Sequence, residues 1–342
     1  MLSYAAALVP ILFYLAVLYT LDGFRLARGR MLTGMFVWGV ASVGFMLLAV
    51  WGYRWMNDGR PWTAVCLSPC LEETIKGCLL IVLILRRRIA FFAETQIYGQ
   101  MVGGGFAFAE NIVYIIENPT MSVGTALVRG FTTSLLHMGC TSLVASLALL
   151  LMMAAEHQVR QYGIRITIAV ITILALLPSI LIHTVFNSIR MPLAVEVIIV
   201  MVVFFVLSLF VSWANDKMIV RWLDMSIIDD ISLIAAIREG RLAETHAGQY
   251  LLAMREKYEP LVFFDICVYL SAYLEMVIKG KAQMMMREAQ IEDSIPSDQD
   301  DVEAKLTELT ALARRIPSSA HMLLRPVLHS SDQNRWAIRH LR

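Results

Sequence analysis

A handful of residues stand where an apolar sequence should carry none: Glu72, Glu73 and Lys76, Glu110 with Asn111, His137, and His183 with Asn187. Each lies inside a stretch apolar enough to cross a bilayer. At the bilayer centre an ionisable side chain costs about 2.5–3.5 kcal/mol, so such groups are kept for pairing or for function. Together they can activate water. A glutamate would serve as general base, with Glu73 the favoured one, while His137, His183 and Asn187 stabilise the oxyanion. The same groups can also ligate a divalent metal such as zinc, with Glu73, His137 and His183 as ligands and a fourth position left for water. Spacing alone leaves both mechanisms open. Other chemistries lack their residues: Ser68 has no Gly-x-Ser-x setting, and neither His-Glu-x-x-His nor Gly-x-Gly-Asp occurs.

Spacing also shows how the groups share faces. Lys76 lies three residues after Glu73 and four after Glu72, so its ammonium can pair with either carboxylate. Pairing one acid helps hold two adjacent acids ionised, or leaves the other free as a base. An ion pair with Lys76 is the structural alternative, but two acids exceed what one lysine needs. Phe106 and Glu110 are four apart, as are His183 and Asn187. Glu110 can equally hold a helix contact, and each histidine can act as an interhelical hydrogen-bond donor.

The elements that must position these groups are long apolar helices. Seven spans are expected near residues 2–21, 31–52, 64–85, 96–116, 127–154, 166–189 and 192–214. Counting from the span ends at ~1.5 Å per residue brings the polar groups of spans three to six to compatible depth in the outer half of the bilayer. Pro69 and Pro178 precede the glutamates and His183, and kinks there would open room for water or substrate. Gly99, Gly103, Gly104 and Gly105 predict close helix packing just before Glu110.

Composition agrees. The 342 residues are 58% hydrophobic and 17% charged, with mean hydropathy +0.64, which excludes an ordinary soluble chain. Of the charged residues, 22 fall in residues 1–214 and 35 in 215–342. The chain therefore divides into a membrane domain, 1–214, and a water-facing domain, 215–342. A net charge of +1 argues against nucleic acid as a partner. Five scattered cysteines read as small packing residues.

Basic residues alternate between loops. Arg25, Arg28 and Arg30 follow span one, Arg86, Arg87 and Arg88 span three, Arg160 and Arg165 span five, and Lys217 and Arg221 span seven, against Arg54, Arg60 and Arg190 on the other side. The positive-inside rule then puts the N-terminus outside and residues 215–342 in the cytoplasm. This tail reads as helical, from Ile227, Ile228, Ile231, Ile234 and Ile237 and from Val302, Leu306, Leu309 and Leu312. A linker runs between them around residues 294–301, with Ser297 or Asp298 as N-cap. Leu261 to Ile278 is an 18-residue apolar run broken by Asp265 and Glu275, read as the core helix of a cytoplasmic bundle rather than an eighth span.

The ordered motifs Glu72-Glu73-Thr-Ile-Lys76, Phe106-Ala-Phe-Ala-Glu110-Asn111, His137 and His183-Thr-Val-Phe-Asn187 resemble those of the PrsW intramembrane proteases. That family belongs to the superfamily of CAAX-prenyl and bacteriocin-processing proteases. The resemblance covers roughly residues 60–190. It implies an all-α polytopic bundle in a bacterial-type plasma membrane that cleaves membrane-anchored proteins, such as anti-sigma factors, in regulated signalling. It also implies water activation by the paired glutamates, with His137, His183 and Asn187 completing the site, and leaves the metal open. Residues 215–342 would regulate the enzyme or drive homo-oligomerisation. The competing classes are a proton- or cation-coupled transporter and a catalytically inactive receptor.

Overall fold

Apolar runs punctuated by arginine and proline give a chain of long helices, seen in a computed structural model that describes residues 2–20, 29–56, 67–155, 164–188, 192–288, 299–324, 327, 328, 332–339 and 341. Among the described residues there is no strand. The helices are α1 (Leu2–Thr20), α2 (Gly29–Met56), α3 (Leu67–Leu85), α4 (Phe92–Glu117), α5 (Val123–Ala155), α6 (Ile164–Ser188) and α7 (Leu193–Arg238). After a 3-10 turn, Leu242–Glu244, come α8 (His246–Arg255), α9 (Pro260–Glu288), α10 (Gln299–Arg315), α11 (Ser318–Leu324) and α12 (Asp332–Arg339). They form two compact units, Met1–Asn215 and Asp216–Arg342. Arg25, Arg28, Arg60, Arg160, Arg190, Cys66 and the expected linker and N-cap at 294–298 lie outside the described residues.

Among the described residues five helices are long and apolar enough to cross a membrane: Leu2–Thr20, Gly29–Met56, Val123–Ala155, Ile166–Ser188 and Pro260–Met286. Of the seven expected spans, α3 and α4 fall outside this set, and the apolar stretch of α7, Val197–Val211, is short by itself. The reason is polar side chains, of the candidate site and beyond it. Glu72, Glu73 and Lys76 sit on α3, and on α4 Glu110 is joined by Glu94, which accepts from the backbone at the helix start, and by Glu117, so both helices lose the apolar signature of a span. Large side chains such as Phe13, Trp51, Ile173 and Phe210 face outward from the first unit, as a membrane-embedded protein requires.

Within the first unit α4 is enclosed by its neighbours. Gly39 of α2 and Gly105 of α4 bring those two backbones together, and a Cβ at Gly105 would lie 2.2 Å from the Phe36 carbonyl oxygen. On the opposite side Gly99 meets Ser142 of α5. The expectation of close packing by the glycine run is thus met on two faces of one helix. The Trp38 indole N–H donates to the Ile75 carbonyl, 3.2 Å, tying α2 to α3. Helix α3 ends at Leu85, and Arg87 takes a left-handed φ of 55° in the turn beyond it. Pro69 lies in the first turn of the described part of α3, a position where a missing N–H has no helical partner to lose. Pro178 does lie inside α6.

The second unit is built on α9. Ile266, Leu270, Leu274 and Val277 of that helix pack with Leu251, Val302, Ala320, Leu324 and Ile338. Asp265 and Glu275, which interrupt its apolar run, pair with Arg315 and Arg238. On α7 the packed face is Asp230, Leu233 and Ile234, while Ile228 and Ile231 are exposed. The isoleucine stripe expected there is therefore split between core and surface, because Leu233 and Asp230 define the inward face.

Candidate active site

Helix α3 supplies the centre of the site. Glu73 and Lys76 follow one another on its buried face, and their side chains are inaccessible to solvent. The Lys76 ammonium donates to Glu73 Oε1 at 2.6 Å. Glu72 points to the neighbouring sector and accepts from the Ser68 hydroxyl through Oε1, 2.6 Å. The second oxygen of each glutamate, Oε2, is buried and has no hydrogen-bond partner.

Helices α4 and α5 bring the next groups. Gly103 removes the side chain that would separate them, so the α5 backbone at His137 lies directly against α4. His137 Nδ1 lies 2.9 Å from Lys76 Nζ, and Nε2 lies 3.1 Å from Glu110 Oε2. An ammonium has donors only. His137 Nδ1 therefore accepts, and its Nε2–H donates to Glu110. Phe106 covers this junction, its ring 4.8 Å from the His137 ring and 4.6 Å from Lys76 Nζ. Asn111, one residue past Glu110, is buried with both amide atoms unpartnered.

From α6 comes His183. Its Nδ1 lies 2.8 Å from Glu73 Oε1, and a carboxylate only accepts, so Nδ1 carries the proton and Nε2 keeps a lone pair. That Nε2 stands 3.8 Å from Glu72 Oε2, beyond hydrogen-bond reach. The two imidazoles meet edge to face at 5.0 Å. One turn before His183, Ser179 stitches α6 to α5: its hydroxyl donates to the Cys140 carbonyl at 2.9 Å, and the Cys140 thiol donates to the Ser179 carbonyl at 3.7 Å. Asn187, one turn after His183, is exposed on α6.

The structure thus gathers Glu72, Glu73, Lys76, Phe106, Glu110, His137 and His183 from four helices. Asn187, exposed on α6, is not among them, and Asn111 is buried one residue past Glu110. Two further groups belong here. Ser68, weighed from the sequence only as a nucleophile, serves as a donor to Glu72, and Arg129 was passed over. Arg129 lies 3.4 Å from Glu110 Oε2, with its guanidinium 3.7 Å above the Tyr114 ring. Its signal was available: Arg129 is eight residues before His137, two turns along one helix face.

These residues fit a divalent metal. Glu72, His137 and His183 are buried and each brings one ligand atom to within 4.8 Å of the others. One carboxylate and two imidazoles form a donor set used by catalytic zinc, and the unpartnered Glu72 Oε2 is a buried acceptor left unsatisfied by the protein. The geometry places Glu72 in this set, where the sequence reading had placed Glu73. Glu73 instead holds the far nitrogen of His183, the position of a carboxylate that orients a ligand.

Comparison with known proteins is in accord. Residues 27–211 match the family described as PrsW family intramembrane metalloprotease, more than half of the chain. Searches of curated proteins and of solved structures return no significant match. Nothing in these comparisons favours a transporter. An all-helical, membrane-embedded chain with paired glutamates and two histidines converging at one buried point, and a family match covering all of them, belongs to the PrsW family of intramembrane proteases.

Proposed function

We propose that this protease is an endopeptidase acting on membrane-anchored proteins, and that water is activated between Glu72 and His183. The observation that supports this reading is the 3.8 Å gap between Glu72 Oε2 and His183 Nε2. Both atoms are acceptors, and a water bound there could donate to both. Alternatively, Glu72, His137 and His183 would hold a divalent metal such as zinc through those same acceptor atoms, in place of the direct water contact. When bound, the ion acidifies water and polarises the scissile carbonyl.

The side chains then divide the work. Where the water bridges Glu72 and His183 directly, Glu72 takes a proton from it as the oxygen attacks the scissile carbonyl carbon, and returns it to the leaving amide nitrogen as the C–N bond breaks. Ser68 orients that carboxylate through its other oxygen. Glu73, neutralised by Lys76, fixes the tautomer of His183, and Glu110 does the same for His137. The Asn187 amide, on the exposed edge of α6, would donate to the oxyanion.

The arginine-rich loops favour an external N-terminus and a cytoplasmic second unit in a bacterial-type plasma membrane. The substrates would be single-span proteins of the anti-sigma-factor type, with residues 216–342 as regulator or homo-oligomer contact.

The test compares membranes from cells expressing the wild type and Glu72→Gln at matched abundance, with and without a chelator. Single-span proteins shortened by the wild type and not by Glu72→Gln are expected, and loss of those fragments under the chelator would assign Glu72 to the metal rather than to the base. A Glu72→Gln chain that cuts at the wild-type rate would overturn the assignment of the base.

A further inference from the structure

We infer that Lys76 and the metal ion compete for His137, so that the ion binds only once the ammonium has moved off Nδ1. This rests on the reading that Glu72, His137 and His183 hold a metal, and extends it to what controls occupancy.

The argument is one of donors and acceptors. A neutral imidazole has one N–H and one lone pair. Lys76 Nζ, 2.9 Å from His137 Nδ1, uses the lone pair. Glu110 Oε2, 3.1 Å from Nε2, takes the N–H. Both ring nitrogens are therefore spent. If His137 binds metal through Nδ1, the ammonium must vacate that lone pair. If it binds through Nε2, the ring proton must sit on Nδ1, where it would face the ammonium donor to donor. Both routes expel Lys76.

The protein also provides a place for the displaced ammonium. Lys76 is already 2.6 Å from Glu73 Oε1, and Glu73 Oε2 is buried without a partner. Lys76 can leave His137 without leaving Glu73, so the move costs one hydrogen bond and keeps the ion pair. Until then it bridges Glu73 and His137, whose other ring nitrogen meets Glu110. Lys76 is thus a positioning residue, a resident cation that holds the cluster together before the metal arrives and lowers its apparent affinity afterwards.

Zinc affinity of the purified full-length chain, measured by competition with a chromophoric chelator, tests this. The proteins are wild type, Lys76→Gln, His137→Gln and the double variant. Lys76→Gln is expected to bind zinc about 10- to 100-fold more tightly than wild type. In the His137→Gln background the same change should gain only a few-fold, since only the removed charge then acts. Equal gains in both backgrounds, or no gain at all, would overturn the competition. Melting supplies an independent readout: zinc should raise the melting temperature of Lys76→Gln more than that of wild type, and an equal rise in both would count against the inference. Wild type and Lys76→Gln binding zinc equally well would sink the inference alone. Failure of all four proteins to bind zinc would sink the metal reading with it.

Discussion

Gly103 and His137 touch backbone to backbone: a Cβ on Gly103 would stand 2.4 Å from the His137 carbonyl oxygen. The position of the imidazole is therefore set by a residue on another helix that contributes no side chain. Gly103→Ala must push α4 and α5 apart at the site. Overpacking of this kind costs about 1–3 kcal/mol, and a shift of ~1 Å at a catalytic group costs about 100-fold in rate. The neighbouring Gly104 meets only the ends of Leu15 and Met138, at 3.0 Å, which can rotate away. Gly103→Ala is expected to lose most cleavage activity while Gly104→Ala keeps most of it. Rates for the two variants, alongside thermal melting, make the comparison.

Arg129 should act on chemistry through Glu110. Its Nη2 and His137 Nε2 approach the same oxygen, Glu110 Oε2, from two sides. Removing the guanidinium frees Glu110 to drift from His137, and loss of such an orienting contact typically costs about 10- to 100-fold. Arg129→Gln is expected to fall in that range, and so is Glu110→Gln. The double variant should be no worse than the poorer single one, because the two residues act in series. Multiplicative losses in kcat/KM would show instead that Arg129 acts independently.

Much of this site could be seen in the sequence because membrane helices make polar residues conspicuous. Glu73, Glu110, His137 and His183 are marked by type, and counting from the span ends brings them to one depth. What could not be seen is rotation about each helix axis. Glu72 and Glu73 are adjacent, so they differ by about 100° around α3. Only packing against α5 and α6 decides that Glu73 meets Lys76 and the Nδ1 of His183, leaving Glu72 to face its Nε2. Arg129 escaped notice for a related reason. It lies near the end of α5, where a charged residue looks like an interfacial anchor until its partner on α4 is known. In the second unit, Ile228 and Ile231 fit a helical stripe yet lie outside the core, since helical spacing defines a face but not the direction it points.

Ser68 bears on which glutamate is the base. Its hydroxyl donates to Glu72 Oε1 at 2.6 Å and fixes the carboxylate with Oε2 toward His183. A hydrogen bond to a charged group contributes about 1.5–3 kcal/mol, so Ser68→Ala should lower kcat by roughly 10- to 100-fold while KM changes little. Ser68→Thr, which keeps the hydroxyl, should restore most of it. An unchanged kcat in Ser68→Ala would move the base to Glu73, whose contacts do not involve Ser68. Chelation separates the two roles open to Glu72: cleavage stopped by a chelator and restored by zinc assigns Glu72 Oε2 to the metal, and cleavage that survives the chelator assigns it to the base.

The second unit contains its own buried charge pair, Lys281 with Asp230 at 3.3 Å, both enclosed between α9 and the end of α7. Removing one member of a buried charge pair typically costs about 3–5 kcal/mol. Lys281→Met should therefore destabilise the unit by that order, and Lys281→Met combined with Asp230→Leu should recover much of the loss. The pair also bears on the placement of α9. Pro260–Met286 is apolar enough to cross a membrane, yet Asp265 and Glu275 reach Arg315 and Arg238 on other helices of the unit, and Lys281 reaches Asp230. Charge reversal at Arg315, which breaks the pair with Asp265, should loosen α10 from α9 and raise proteolytic sensitivity around residues 299–315. Unaltered proteolysis in Arg315→Glu would show that α9 is held by its apolar core alone.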